Sequence, residues 1–170
     1  MPKTLSGQIS IGASGQFINS DTANPNDPIQ TLLAAVRWAI ANGTGAGQAD
    51  VLFTRNGTVN TGAPLTLDLA GGGLLDAFGG ALAPARTKFL LVVNRSLTGT
   101  LTVGGSANKN TIAFGAQPLP PGNANNPSFM LICCPGATAY PVTGGSADEI
   151  TLSASVANVD YDLYLIGASA

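Results

Sequence analysis

Histidine is missing from this chain of 170 residues, and charge is scarce: seven Lys or Arg and nine Asp or Glu make up 9% of the residues, against about 25% in an ordinary soluble domain. Without His, a Ser–His or Cys–His nucleophile is excluded and the commonest metal ligand is gone. The basic residues run from Lys3 to Lys109 without forming a cluster, and the net charge is −2. That distribution gives none of the cationic footprint that phosphate backbones require. Aromatic side chains are also few, at 6%, so a core must be assembled from Leu, Val, Ile and small residues. No stretch reaches the roughly 18 apolar residues of a membrane-spanning helix. The opening Met1-Pro2-Lys3-Thr4-Leu5-Ser6-Gly7-Gln8 has one positive charge and no apolar run of signal-peptide length. Synthesis in a cytoplasm, and retention there until assembly, is therefore expected. The two cysteines, Cys133 and Cys134, are adjacent. On a strand they would point to opposite faces, a bond between them would strain the backbone, and no basic neighbour lowers a thiol pKa. Reduced, buried thiols are expected.

What the chain has is punctuation, with 22 Gly and 11 Pro, and between these breaks lie short apolar segments of period two. Leu5, Gly7, Ile9 and Ile11 alternate with Ser6, Gln8 and Ser10. Leu65-Thr66-Leu67-Asp68-Leu69 alternates up to a triple glycine, and Lys88-Phe89-Leu90-Leu91-Val92-Val93-Asn94 and Phe129-Met130-Leu131-Ile132-Cys133-Cys134 are continuous apolar runs of buried-strand type. Thr98 to Val103 and Glu149 to Ser153 alternate as well. The clearest strand is the last, where Val159, Tyr161, Leu163 and Leu165 face one way and Asp160, Asp162 and Tyr164 the other. Eight or more such strands at about ten-residue spacing predict an antiparallel all-β protein, a sandwich, barrel or jelly roll. Trp38, Phe78, Phe89 and Phe129 are expected in its core, and residues 19–28 as a loop.

One segment reads two ways. Asp27-Pro28 supplies an N-cap and a proline at the first helical position, with Ile29, Leu32, Leu33, Val36 and Ile40 as a helical stripe. Leu32, Ala34, Val36, Trp38 and Ile40 equally form one face of a strand. The glycine-rich Gly43-Thr44-Gly45-Ala46-Gly47 lacks the Lys-Ser/Thr ending of a phosphate loop and is expected to be a mobile connection. Asp148-Glu149 is expected to bound a turn. Asp160 and Asp162 share a strand face and are the best candidates for paired carboxylates or a Ca²⁺ site, but two outward acids on a strand ordinarily face solvent or a partner. No catalytic, cofactor-binding or metal-binding residues are assigned.

An ordered series of short segments resembles a family of small tailed-bacteriophage virion proteins. It comprises Asn42-Gly43-Thr44-Gly45-Ala46-Gly47-Gln48-Ala49-Asp50, Leu67-Asp68-Leu69-Ala70-Gly71, Asp76-Ala77-Phe78-Gly79, Ala85-Arg86-Thr87-Lys88 and Leu101-Thr102-Val103-Gly104-Gly105. The ending, Ala147-Asp148-Glu149-Ile150 and then Val159-Asp160-Tyr161-Asp162-Leu163-Tyr164-Leu165-Ile166-Gly167, continues it. These segments span residues 42–167. The chain departs from the family at Val51-Leu52-Phe53-Thr54-Arg55-Asn56, where the family has a polar, aromatic-containing stretch, and in its first forty residues. The resemblance implies a β-sandwich or jelly-roll protein attached to the phage particle, as a capsid decoration or cement protein. It also tips Leu32 to Ile40 towards a strand.

The expected organisation is an N-terminal arm and first strand over residues 1–28 and a single β-sandwich domain over 29–170. The expected role is non-enzymatic: stabilising the shell from its outer surface, with the major capsid protein and further copies of the same chain as partners. A trimer is favoured over a dimer, and neither nucleic acid, membrane nor cofactor is expected as a partner. Arg37, Arg55 and Arg95, with Asp160 and Asp162, are the candidate interface residues, because so few other charges exist to pair with a shell surface. Two alternatives stand beside this one. The first is a tail, baseplate or head-fibre component that binds glycan in a β-sandwich groove. The second is a small hydrolase or lyase using Asp160 and Asp162.

Overall fold

The computed structural model describes residues 4–18, 29–76, 79–113, 115–123 and 125–170. Among these there is no α-helix, and the fold is antiparallel and sandwich-like. The segment that read both ways is extended: β2 (Ile29–Asn42) pairs along its length with β1 (Gly7–Ile18) as an antiparallel ribbon, Gly7 opposite Ile40 and Ile18 opposite Ile29. Pairing decides the matter, because the period-two face of β2 meets an equally alternating partner while a helix would have left that partner unpaired. The expected loop at 19–28 lies outside the described residues, as does Phe78.

The sandwich itself has two sheets. In the larger, β4 (Val51–Val59), β12 (Val159–Ala168) and β6 (Arg86–Asn94) lie side by side, and β9 (Ser128–Cys133) and β10 (Tyr140–Pro141) share the far edge of β6. The smaller contains β5 (Leu65–Asp68), β11 (Glu149–Ala154), β7 (Leu101–Val103) and β8 (Gln117–Leu119) in that order. Between them lies the main core. Phe53, Leu90, Val92, Val159, Tyr161, Leu163 and Leu165 from the larger sheet meet Leu67, Leu101, Val103, Ile150 and Leu152 from the smaller. The alternation of β12 is thus realised as read, with its apolar face buried and Asp160 and Tyr164 exposed.

A second, smaller core sits on the outer face of the larger sheet. There Trp38 and Ile40 of β2, with Leu5 and Ile9, pack on Leu52, Phe89, Ile166 and Cys133, and β3 (Gln48–Ala49) joins β2 in parallel. Strand β6 is therefore covered on both faces, which is why its sequence is a continuous apolar run rather than an alternating one.

Opposite Gly167 the pairing of β12 with β6 shifts register, with Ile166 opposite Phe89 and Gly167 opposite Thr87. Lys88 is the extra residue of this bulge, and a bulge re-aims the side chain it carries. The Lys88 side chain is fully buried, and its Nζ donates to the carbonyl oxygens of Gly45 (2.6 Å), Gln48 (2.7 Å) and Thr44 (3.3 Å). Burial, and secondarily the Arg86 charge, hold its pKa below the ordinary lysine value. Gly167 is required here, since a Cβ at that position would stand 2.5 Å from the Arg86 carbonyl oxygen.

Candidate interaction surface

The outer face of the larger sheet can be read in rows from its strand registers. The first row, Leu52, Ile166, Phe89 and Cys133, lies under the root of the ribbon. The second is Thr54, Tyr164, Leu91 and Leu131, and the third is Asn56, Asp162, Val93 and Phe129. Coverage is uneven beyond the first row: Leu91 and Leu131 are half-buried at the ribbon's margin and Val93 is buried, whereas Tyr164 is 39% exposed and Phe129, at the β9 edge of the third row, is 62% exposed. Phe129 was expected in the core. It is outside because β9 is an edge strand whose Phe129 pairs with Val93 on the outer side, so the apolar run that suggested a buried strand has one face uncovered at this end.

The ribbon ends its cover in a matching way. Ile9 stands opposite Trp38, and the next positions on the same face are Ile11 opposite Val36 and Ala13 opposite Ala34. Trp38 is buried, but Val36 is 62% exposed. The ribbon thus leaves the sandwich just beyond Trp38 while its apolar alternation continues. Its backbone edges are uncovered too: among the described residues β1 pairs only with β2, and the other edge of β2 is taken only at Ala41 and Asn42.

The root of the ribbon is fixed by the glycine-rich loop. Contrary to the expected mobile connection, residues 43–47 are tied from several directions. Trp38 Nε1 donates to the Gly47 carbonyl oxygen at 3.0 Å, the Gly47 amide donates to Pro135 O at 2.8 Å, and the Gly45 amide donates to Gln48 Oε1 at 3.0 Å. Together with the three bonds from Lys88, these satisfy the backbone of a segment that sequence alone gave no reason to think ordered.

The candidate interface residues fall in two places. Arg37 is exposed on β2 opposite Ser10, on the ribbon face that does not carry Trp38. The other four lie at the same end of the larger sheet, Asp162 in the third row with Arg95 and Asp160 beside it, and Arg55, opposite Leu163 on β4, on the sheet's other side. Asp162 is half-buried and Arg95 exposed, and Arg95 Nε donates to Asp162 Oδ2 at 2.6 Å. Asp160 accepts from Thr58 Oγ1 at 2.7 Å. Arg55 lies beside the Tyr161 hydroxyl, whose pKa is raised mainly by burial. Arg95 is thus already committed to an acid of its own chain. Arg55, Thr54, Asn56, Asp162, Leu163 and Tyr164 line a shallow depression of about 200 Å³.

Asp160 and Asp162 share a face as read, but each is engaged, by Thr58 and Arg95. No group of three His, Cys, Asp or Glu that could hold a metal occurs among the described residues. Cys133 and Cys134 are free and half-buried rather than fully buried, and burial, with the neighbouring Cys134, raises the pKa of Cys133. Asp148 bounds the expected turn, with its Oδ2 accepting from the Gly145 amide at 2.6 Å. No family model, curated protein or solved structure matches this chain.

Proposed function

We propose that this chain is a non-enzymatic structural protein of a bacteriophage virion, a capsid decoration or cement protein made in the host bacterial cytoplasm and bound to the outer surface of the major capsid shell. The observation that carries the reading is the β1–β2 ribbon, which at Val36, Ala34 and Ala13 exposes apolar positions and, among the described residues, leaves its backbone edges unpaired beyond Ala41. A two-stranded ribbon is marginal on its own in water, and free edges of this kind are ordinarily blocked by charge, proline or a covering element. Arg37 is the only charged residue in either strand, and neither contains proline. A protein that keeps such an element exposed is suited to lending strands and apolar surface to an assembly. The phage setting rests on the resemblance of residues 42–167. The test is the copy number of the chain in purified particles, by quantitative mass spectrometry against the major capsid protein. Copies comparable to the shell subunit are expected; complete absence overturns the virion reading.

A second reading, a tail, baseplate or head-fibre component that binds glycan, is favoured by the depression beside Tyr164. An exposed phenol ring there is flanked by the hydroxyl of Thr54, the amide of Asn56 and the carboxylate of Asp162, a group suited to a sugar face and its hydroxyls. A handful of copies per particle, together with saccharide binding that Tyr164→Ala abolishes, would replace the decoration role with this one.

A further inference from the structure

We propose that copies of this chain assemble by ribbon exchange: the distal part of the β1–β2 ribbon of one copy lies on the second and third rows of the outer sheet face of the next. This deepens the reading above by naming a partner, a second copy, and a geometry.

The two surfaces are continuous with a contact the chain already makes. Inside one copy, Ile9, Trp38 and Ile40 cover the first row of the sheet. Beyond them the ribbon repeats the same alternation with Ile11, Val36, Ala13 and Ala34, and beyond the first row the sheet repeats apolar positions with Leu91, Leu131, Val93 and Phe129. The ribbon loses cover past Trp38 and the sheet at its β9 edge, leaving Val36 and Phe129 each 62% exposed while Val93, beside Phe129, stays buried. Neither the ribbon face of Val36 nor the Leu131–Phe129 end of the sheet brings a charge to the contact. Arg37 is on the opposite ribbon face, and the acids of the third row stand at its other end, where Asp162 is held by Arg95.

Size and symmetry call for a ring rather than an isolated pair. About nine residue pairs extend past Trp38 and Ile9, a ribbon roughly 30 Å long and 10 Å wide at about 3.4 Å rise per residue and 4.8 Å between strands. Each contact would cover about 300 Å² of each copy before edge pairing, less than half of the roughly 800 Å² per partner of a standard stable interface, so one contact alone is weak and a closed ring, in which every copy makes two, is what holds the assembly. The giving and receiving surfaces are different, so the contact is head-to-tail and finite assembly requires a closed ring.

The test uses the full chain with Cys133→Ser and Cys134→Ser, to which either Val36→Cys or Phe129→Cys is added. The two proteins are mixed and oxidised, and the mass of the parent chain is measured by sedimentation. Expected are a ring-sized oligomer and a disulfide-linked dimer, formed only in the mixture, that joins Val36→Cys of one chain to Phe129→Cys of another. Val36→Asp, which lies on the exposed part of the ribbon, is expected to weaken association about tenfold or more while circular dichroism and thermal unfolding of the sandwich are unchanged. A chain that stays monomeric at high concentration overturns the proposal, as does an oligomer that neither cross-links at these positions nor responds to Val36→Asp. The two ideas fail separately: a monomer found at shell-like copy number on particles ends ribbon exchange but leaves decoration standing, and a ring-forming chain absent from particles does the reverse.

Discussion

Replacing Lys88 by methionine tests whether a buried ammonium organises the root of the ribbon. Methionine keeps most of the stem and removes the charge. Three carbonyl oxygens, of Gly45, Gln48 and Thr44, then lose their donor. Each buried acceptor left unpaired costs about 1–3 kcal/mol, while relief of the ammonium's desolvation offsets several kcal/mol of that. The balance expected is a loss of about 2–4 kcal/mol, read by urea unfolding at neutral pH. Hydrogen exchange at the Gly47 amide, which donates to Pro135 O, should quicken by more than exchange in β12. The pH dependence has a definite sign. Because burial lowers the Lys88 pKa in the fold, the unfolded chain holds the extra proton between that lowered value and 10.5. The parent chain therefore gains stability over Lys88→Met as pH rises through that window. Cys133 and Tyr161, whose pKa values are raised by burial, push the other way in alkali, but both are present in the two proteins and cancel in the difference. A variant within about 0.5 kcal/mol of the parent, the range of an ordinary surface change, with Gly47 exchange unaltered, would refute the reasoning.

Other positions give sharper or deliberately small effects. Gly104 has a φ of +88°, and a Cβ there would meet the Gly115 carbonyl oxygen at 2.1 Å, so Gly104→Ala should destabilise by about 3 kcal/mol or more, seen as a lowered urea midpoint with unchanged slope. Asp148→Ala removes the acceptor of the Gly145 amide from a buried position and should cost about 1–3 kcal/mol by the same measurement. Arg95→Ala breaks the ion pair with Asp162, but Arg95 is 53% exposed. Its cost should stay below about 1 kcal/mol, and a larger loss would show that the pair is more than a surface contact. Titration of the denatured, unreduced chain with a thiol reagent should find both Cys133 and Cys134 free; recovery of less than one thiol would contradict the structure.

Strands were legible wherever one face is buried and the other wet, because that arrangement writes itself as alternation. Val159 to Leu165 shows it most clearly, and Leu65 to Asp68 and Leu101 to Val103 follow. Phe129 was not legible: a continuous apolar run implies burial on both faces, yet β6 has that burial and the edge strand β9 does not, and nothing local distinguishes the two. Lys88 was hidden for a different reason. A bulge depends on the register between β6 and β12, a contact made across more than seventy residues of chain, and only after it forms does the lysine turn to the carbonyls of residues 44–48. The candidate charges were identifiable by scarcity alone, but their partners were not, since Arg95 and Asp162 lie 67 residues apart.

The placement of Lys88 also ties the uncovered ribbon to the core. Trp38, buried on β2 two positions from the exposed Val36, donates to the Gly47 carbonyl oxygen, and the same loop is held by Lys88 from the bulge of the central strand β6. The direction in which the ribbon departs is thus set by hydrogen bonds that reach the middle of the sandwich, rather than by the ribbon's own marginal stability. An arm anchored in this way presents Val36 and its neighbours in one orientation, which lowers the ordering cost of any docking event. Loosening the loop should therefore weaken assembly even though residues 43–48 lie outside the two surfaces proposed to meet. Lys88→Met, compared with parent chain by sedimentation under conditions where both are folded, is expected to associate less tightly; equal association would mean that the ribbon orders only on its partner.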